Sequence, residues 1–464
     1  MIYLEKLLKQ PIQKVVAYDI EMHKLFAYIK DVYTDCYFFE SLANARQQDR
    51  YYCIGFAPRL IFTAKQNIVT ISGPDTYEFT GMTECIVNCD NPYDYLSEIK
   101  LNFKGTFHMG GLIGYCSYEA VNYFEKLNLP EHSDFDTFKF GLYTDGLIYD
   151  TVTGTLTYYS YDIDRSINVL DIIEKHTTYK ITPVKSVEFK GNSVTKEQFI
   201  QYVDNTKEKI KNGFSFQSEV GFKAFYDIDG DKYNVYLKLR EVNPSPYMYY
   251  IKFDDVELLG ASPEVLITCK NRLVLTTPAA GTIKRCLTDA LEDVRLAREL
   301  LTDPKEVSEH NMLVDLHRND ISRVCEPGSV KVAELMYVIK FSHVQHIVSD
   351  IVGTLQYDKD AYDVLKCILP GGVVTGAPKI ETIKIIHANE GSPRGPYGGA
   401  VGRVAMNGDC NFCLPIRSLF CKGNKCFAQT SAGVVFDSIP EKEYTEVLNK
   451  LAAMKYTLEN LETL

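Results

Sequence analysis

The chain has no tryptophan against 32 tyrosines, a bias that suits a protein made when tryptophan is scarce. It has no excess of positive charge. Fifty Lys and Arg against 61 Asp and Glu leave a net charge of −11, and no long basic run interrupts that balance, so a nucleic-acid surface is not expected. No stretch approaches the roughly 18 consecutive apolar residues of a membrane helix. The first residues, Met1-Ile2-Tyr3-Leu4-Glu5-Lys6, lack a secretory pattern. Thirteen cysteines, an odd number scattered through apolar segments, read as reduced thiols in a cytoplasmic enzyme. There is no Gly-x-Cys-x-Gly nucleophile elbow of the glutaminase kind. No Gly-Lys-Ser/Thr closes the run Pro370-Gly371-Gly372-Val373-Val374-Thr375-Gly376-Ala377-Pro378-Lys379, which removes a phosphate-loop reading. That run reads instead as a loop feeding a helix, with Thr375 as cap and Pro378 in the first turn, a place where a carboxylate can sit.

The 464 residues suffice for one large or two medium domains. The N-terminal third alternates apolar and polar residues in short runs, with a hairpin signal at Thr153-Gly154. A polar stretch at about 183–196 marks a boundary, dividing a lobe at 1–185 from a domain at 186–464. Helices are expected at 194–212, 289–301, 305–316 and 440–458. Hairpins are expected across Asp254-Asp255 and Asn271, one strand over 337–352, and a meander turning at Asn407-Gly408 and Gly423-Asn424. Hairpins interrupted by long helices predict an α+β fold, antiparallel β-sheets packed together with helices on the outside.

Two helical carboxylate pairs stand out, Glu306/Glu309 and Glu443/Glu446. Asp303 through Glu306 and Ser438 through Glu441 each fit a capping box, which accounts for Glu306 and Glu441 but not for Glu309, Glu443 or Glu446. Mg²⁺ takes one or two protein carboxylates and completes its shell with water and ligand oxygens, so two such helices suit it. An acidic protein that binds an anion needs such a local positive charge. Lys450, four residues after Glu446, reads alternatively as a surface ion pair. His343 and His346 point to opposite faces of a strand and cannot share a metal. Cys410, Cys413, Cys421 and Cys426 have near-zinc spacing but lie in expected strands and read as buried thiols. Arg417, flanked by apolar residues, pairs either with an anionic ligand or with an internal carboxylate.

These pieces resemble the chorismate-utilising enzymes, most closely the large aminase subunits of anthranilate synthases. The resemblance covers roughly residue 194 to the C-terminus. It rests on Asn243-Pro244-Ser245-Pro246-Tyr247-Met248, Gly260-Ala261-Ser262-Pro263-Glu264, residues 309–316, 342–348, 375–379 and 397–402, and Asp437 to Glu443. The N-terminal third matches more loosely, through Phe39-Glu40-Ser41, 50–55 and 110–115. The resemblance implies Mg²⁺ held by Glu309 and Glu446, backed by Glu306 and Glu443. It implies a ring carboxylate lined by Gly281 and Thr282 with Lys450 nearby. Tyr397, Arg417 and the Ser431-Ala432-Gly433 segment would grip the enolpyruvyl carboxylate. Glu264 would act as general acid and His346 would assist beside the ring.

Two positions choose among family members. Relatives that add water carry a lysine base near the place of Gln217, since water is a poor nucleophile. Aminodeoxychorismate synthases often carry a nucleophilic lysine where Ala280 stands. The resemblance therefore implies chorismate and ammonia as substrates, and anthranilate and pyruvate as products. It further implies a glutamine amidotransferase subunit (component II) as partner. Tryptophan is expected as feedback inhibitor at Glu40, Ser41, Pro246, Tyr247 and Met248, in the N-terminal regulatory lobe, with 186–464 as the chorismate-binding catalytic domain. An aminodeoxychorismate synthase component and a catalytically idle paralogue that binds chorismate or tryptophan are the alternatives. The chain departs from the family pattern at Val373, Ile283-Lys284-Arg285-Cys286, His317 and Ser431.

Overall fold

In the computed structural model, which describes residues 8–42, 50–341 and 344–461, the strands form two twelve-stranded sheets with every pair antiparallel. The expected α+β architecture is what the chain adopts. Both sheets are built from both ends of the sequence. In the first, Asp35–Glu40 lies between Tyr51–Phe56 and Tyr247–Phe253. In the second, Gly111–Cys116 lies between Phe138–Tyr143 and Ala400–Ala405.

The inner faces share one apolar core, with Tyr249, Ile251 and Phe420 from the first sheet against Leu112, Phe140 and Phe412 from the second. A second core fills the outer face of the first sheet, where Phe26, Val203, Tyr236 and Leu451 pack down from four helices. At about 25 cal/mol per Å², each buried aromatic adds a few kcal/mol of burial free energy. Among the described residues no helix is long and apolar enough to cross a membrane.

Local turn chemistry did what it promised. Asn271 and Arg272 take positive φ between Val265–Lys270 and Leu273–Thr276. Asp254 does the same between Tyr247–Phe253 and Val256–Ser262. The four expected helices form as Lys196–Lys211, Ala290–Thr302, Pro304–Ser322 and Pro440–Glu459, among others.

Three expectations are corrected. The stretch 337–352 is not one strand but parts of two, Lys331–Lys340 folded back on Val344–Thr354. The turns at Asn407-Gly408 and Gly423-Asn424 do not belong to one meander. The first joins strands of the second sheet and the other joins strands of the first. Thr375 does not cap the following helix: its hydroxyl donates to the carbonyls of Gly371 and Gly372, and Lys379–Glu390 starts from Pro378.

Candidate active site

The site draws side chains from both sheets, from Ala279–Lys284 and Val344–Thr354 of the second and from Gln217–Gly230 and Lys425–Val434 of the first. In the second sheet Ala279–Lys284 pairs with Val344–Thr354, but the register breaks between Ala280 and Ile283. The break turns Gly281 and Thr282 out of the ladder as a bulge, the usual way a strand re-aims groups beside a site. Gly281 has φ +67°, and a methyl there would stand 2.8 Å from Glu306 Oε2, so only glycine lets this carboxylate approach. His346 closes the bulge. Its Nδ1 lies 2.8 Å from the Gly281 carbonyl and 3.1 Å from Thr282 Oγ1, and its Nε2 lies 3.1 Å from Arg417 Nη2. A guanidinium only donates, so Nε2 accepts and Nδ1 carries the proton. Burial, with Arg417 adding to it, pushes His346 down to about 3; the ring is neutral at physiological pH.

Glu264 follows the hairpin Tyr247–Phe253/Val256–Ser262. Ser262 Oγ fixes the corner by donating to the Leu414 carbonyl at 2.6 Å and accepting from the Glu264 amide at 3.3 Å. The side chain is buried, and among the described residues its one hydrogen-bond partner is the Ala279 N–H, 3.4 Å from Oε1. Burial pushes its carboxyl up to about 8 against the pull of that amide and of Arg417. Glu264 is thus a protonated acid at neutral pH, held next to a guanidinium that burial has lowered to about 10.

The first sheet supplies the other wall. Gln217–Gly230 pairs with Lys425–Val434, setting Glu219 opposite Gly433, Val220 opposite Ala432 and Gly221 opposite Ser431. Tyr397 OH lies 3.0 Å from Ser431 Oγ, which donates to Glu219 Oε2 at 2.6 Å. Lys450 Nζ donates to the Ser431 carbonyl at 2.9 Å and pairs with Glu446 at 2.8 Å. Burial works against the Lys450 charge, but Glu219 and Glu446 outweigh it and raise its pKa. The expected surface pair with Glu446 is present, with Lys450 43% exposed, and the same ammonium also reaches the Ser431 carbonyl. Glu219 was missed in the sequence. Its signal was a charge two places from Gln217, on the same face of an otherwise largely apolar strand.

The two helical carboxylate pairs converge electrostatically. Burial raises Glu309 to about 7, Glu306, Glu219 and Glu446 adding to the rise and Lys305 opposing it. Burial likewise raises Glu443, with Glu446 adding. Among the described residues Glu309 Oε1 is buried without a hydrogen-bond partner, and Lys305 Nζ lies 3.8 Å from it. Crowded carboxylates with one orphaned oxygen fit a divalent cation. Among the described residues no three His, Cys, Asp or Glu side chains close into a metal cage by themselves.

The capping boxes differ from expectation. Asp303 caps its helix through the amides of Lys305 and Glu306, but Glu306 turns to Gly281 instead of folding back. Ser438 is not the N-cap of the last helix; Ile439 is, and Ser438 Oγ accepts from the Val435 amide.

Elsewhere, Cys410 and Cys413 sit in the second sheet and Cys421 and Cys426 in the first, so the four form no zinc set. All thirteen cysteines are unpaired, and only Cys89 and Cys286 are not buried. His343 lies outside the described residues. Lys379 is bound to Asp320 at 2.6 Å. His317 is buried against Thr276, and Arg285 is tied to Asp293, which gives these departures structural employment. Glu40 lies opposite Met248 across adjacent strands, beside Ser41 and the Pro246–Tyr247 corner. Glu40 accepts from Arg240 Nη2 at 2.9 Å and from Tyr236 OH at 2.7 Å. Arg240 is a second residue that sequence reasoning did not find.

The structure thus brings together a buried acid, Glu264, the Arg417–His346 pair and the carboxylates of Glu306 and Glu309. The family model for chorismate binding enzymes matches residues 34–456, and the chain belongs to that family. The match takes in most of the N-terminal third as well as the rest of the chain. The chain is 43% identical over 451 residues to anthranilate synthase component 1 of Leptospira biflexa, covering 96% of this chain and 95% of that one. It is 35% identical over 443 residues to aminodeoxychorismate synthase component 1 of Bacillus subtilis, covering 91% and 94%. The crystal structure of anthranilate synthase component I from Streptococcus pneumoniae superposes with a TM-score of 0.76 at 29% identity, over 88% of this chain and 92% of the other.

Proposed function

We propose that this chain carries out the aminating half of anthranilate synthesis, converting chorismate and ammonia to anthranilate and pyruvate, the first step of tryptophan biosynthesis. The observation that carries the reading is Glu264, a carboxyl held protonated near pH 7 by burial beside Arg417 and the bulge at Gly281-Thr282. Such an acid can protonate a departing hydroxyl without help from solvent. Gln217 and Ala280 supply neither the lysine that water addition needs nor the lysine that forms a covalent adduct.

In this reading Tyr397, Arg417 and the Ser431–Gly433 backbone hold the enolpyruvyl carboxylate. Gly281 and Thr282 line the ring carboxylate, with Lys450 at its side. Glu309 and Glu446, backed by Glu306 and Glu443, would hold Mg²⁺, whose charge would offset the ring carboxylate. His346, a neutral ring fixed by the Gly281 carbonyl, keeps Arg417 and Thr282 in place. The amine adds at C2 with loss of the C4 hydroxyl, which Glu264 protonates so that it departs as water, and pyruvate is then eliminated. A separate glutamine amidotransferase subunit supplies the ammonia, and the complex works in the cytoplasm. Glu40, Ser41, Pro246, Tyr247 and Met248 form the tryptophan pocket; saturating tryptophan that left the rate unchanged would dispose of that assignment.

The test is product analysis with chorismate, ammonium and Mg²⁺, with and without a glutaminase subunit. Fluorescent anthranilate is expected in both. An aminodeoxychorismate product is the second reading, favoured by the Bacillus subtilis relative and opposed by Ala280. Binding of chorismate or tryptophan with no product at all would leave a regulatory paralogue.

A further inference from the structure

In the amination reading Tyr397 grips the enolpyruvyl carboxylate, and for that it needs its phenol hydrogen. Where that hydrogen points follows from its neighbours. Tyr397 is 2% exposed and Ser431 3%. Within Lys425–Val434, Ala432 and Val434 pack into the helix-covered core, so Ser431 and Gly433 face the other side of the sheet. There Ser431 Oγ stands between two oxygens, Glu219 Oε2 at 2.6 Å and the Tyr397 hydroxyl at 3.0 Å.

A hydroxyl has one hydrogen to donate, and a carboxylate has none. Ser431 therefore donates to Glu219, the nearer partner, and can only accept from Tyr397. Burial raises the Glu219 carboxyl; Lys450, the Ser431 hydroxyl and Arg394 pull it back toward the ionised form, and Glu446 adds to the rise. With Glu219 ionised the donors run in one direction, from Tyr397 to Ser431 to Glu219. Lys450 Nζ donates to the Ser431 carbonyl at 2.9 Å, which steadies the middle member of this relay. The phenol hydrogen is thereby committed inside the protein. A ligand carboxylate beside Tyr397 meets lone pairs until the bond to Ser431 breaks. Glycine, the usual residue at this place in the family pattern, has no hydroxyl with which to compete.

We propose that Ser431 is a positioning residue that holds down the affinity for chorismate: its hydroxyl keeps the Tyr397 hydrogen, and the substrate carboxylate must displace it. No covalent bond changes; one hydrogen bond is exchanged for another. Loss of one such bond corresponds to about two- to tenfold in affinity. The inference deepens the amination reading and rests on the place of Tyr397 in the clamp.

The test is calorimetric titration of chorismate into the full chain, with Mg²⁺ and without ammonium, so that no amination occurs. Ser431→Ala should bind chorismate about two- to tenfold more tightly than the wild type. Tyr397→Phe should weaken binding more in the Ser431→Ala background than in the wild type, because only there is the phenol hydrogen free to be lost. Unchanged binding in Ser431→Ala overturns the proposal. Weaker binding overturns it too, and would mean that Glu219 carries a proton and the relay runs outward to the ligand. A second readout needs no ligand. In chain made with ring-labelled tyrosine, the Cζ resonance of Tyr397, assigned by its loss in Tyr397→Phe, should move in Ser431→Ala. A resonance that stays in place refutes the relay whether or not the chain turns over. Tighter binding in Ser431→Ala, with no anthranilate from the wild type once ammonium is added, would sink the amination reading and leave Ser431 its role.

Discussion

Glu264 shows how one residue's setting decides its chemistry. Its carboxyl sits at about 8, against an ordinary value of 4.5, because burial disfavours the charged form. Activity that needs the protonated acid should therefore fall as pH rises through about 8, and Glu264→Gln should lower kcat about 10²–10⁴-fold. The same shift acts on stability. Between 4.5 and about 8 the folded chain keeps a proton that the unfolded chain has released, so stability falls as pH climbs through that window. Urea unfolding at pH 5 and pH 8 should show a smaller difference in Glu264→Gln than in the wild type. Glu309, whose buried Oε1 has no hydrogen-bond partner among the described residues, is proposed as a metal ligand and not as an acid. Glu309→Gln should abolish turnover at any Mg²⁺ concentration; unchanged activity would refute the metal assignment.

At the scale of elements, the site depends on where helices begin. Glu306 and Glu309 ride on the first two turns of Pro304–Ser322, whose start is set by Asp303 accepting two amides at 2.9 and 3.1 Å. Asp303→Ala should cost about 1 kcal/mol, read as a lower urea midpoint. It should also raise the Mg²⁺ concentration for half-maximal rate, because fraying moves both carboxylates. Much at this scale was legible in the sequence: Asn271 and Asp254 announced their turns, and the four helices carried periodic apolar faces. What was not legible was pairing between distant segments. The bulge at Gly281-Thr282 exists only against Val344–Thr354, and the approach of Glu219 to Ser431 only against Lys425–Val434. Lys331–Lys340 and Val344–Thr354 merged into one expected strand because no Gly or Pro marks the reversal between them. The proposed site residues were named through resemblance. Glu219 and Arg240 were not, because neither falls in a motif; their meaning comes from partners 212 and 200 residues away.

The whole molecule is knitted from both ends. Because Asp35–Glu40 and Gly111–Cys116 are interior strands of the two sheets, removing residues 1–185 would strip five strands from each sheet and expose Tyr247–Phe253 and Ala400–Ala405 as bare edges. Open hydrophobic edges pair with other chains. Residues 186–464 expressed alone should be insoluble, and a soluble, chorismate-binding fragment would show that the halves fold separately. The thirteen sulfurs of this protein lend it one more property. Eleven are walled off and two, Cys89 and Cys286, are within reach of solvent. A maleimide dye should therefore tag at most two sites on the native chain and all thirteen once it opens, so the chain carries its own stoichiometric gauge of unfolding.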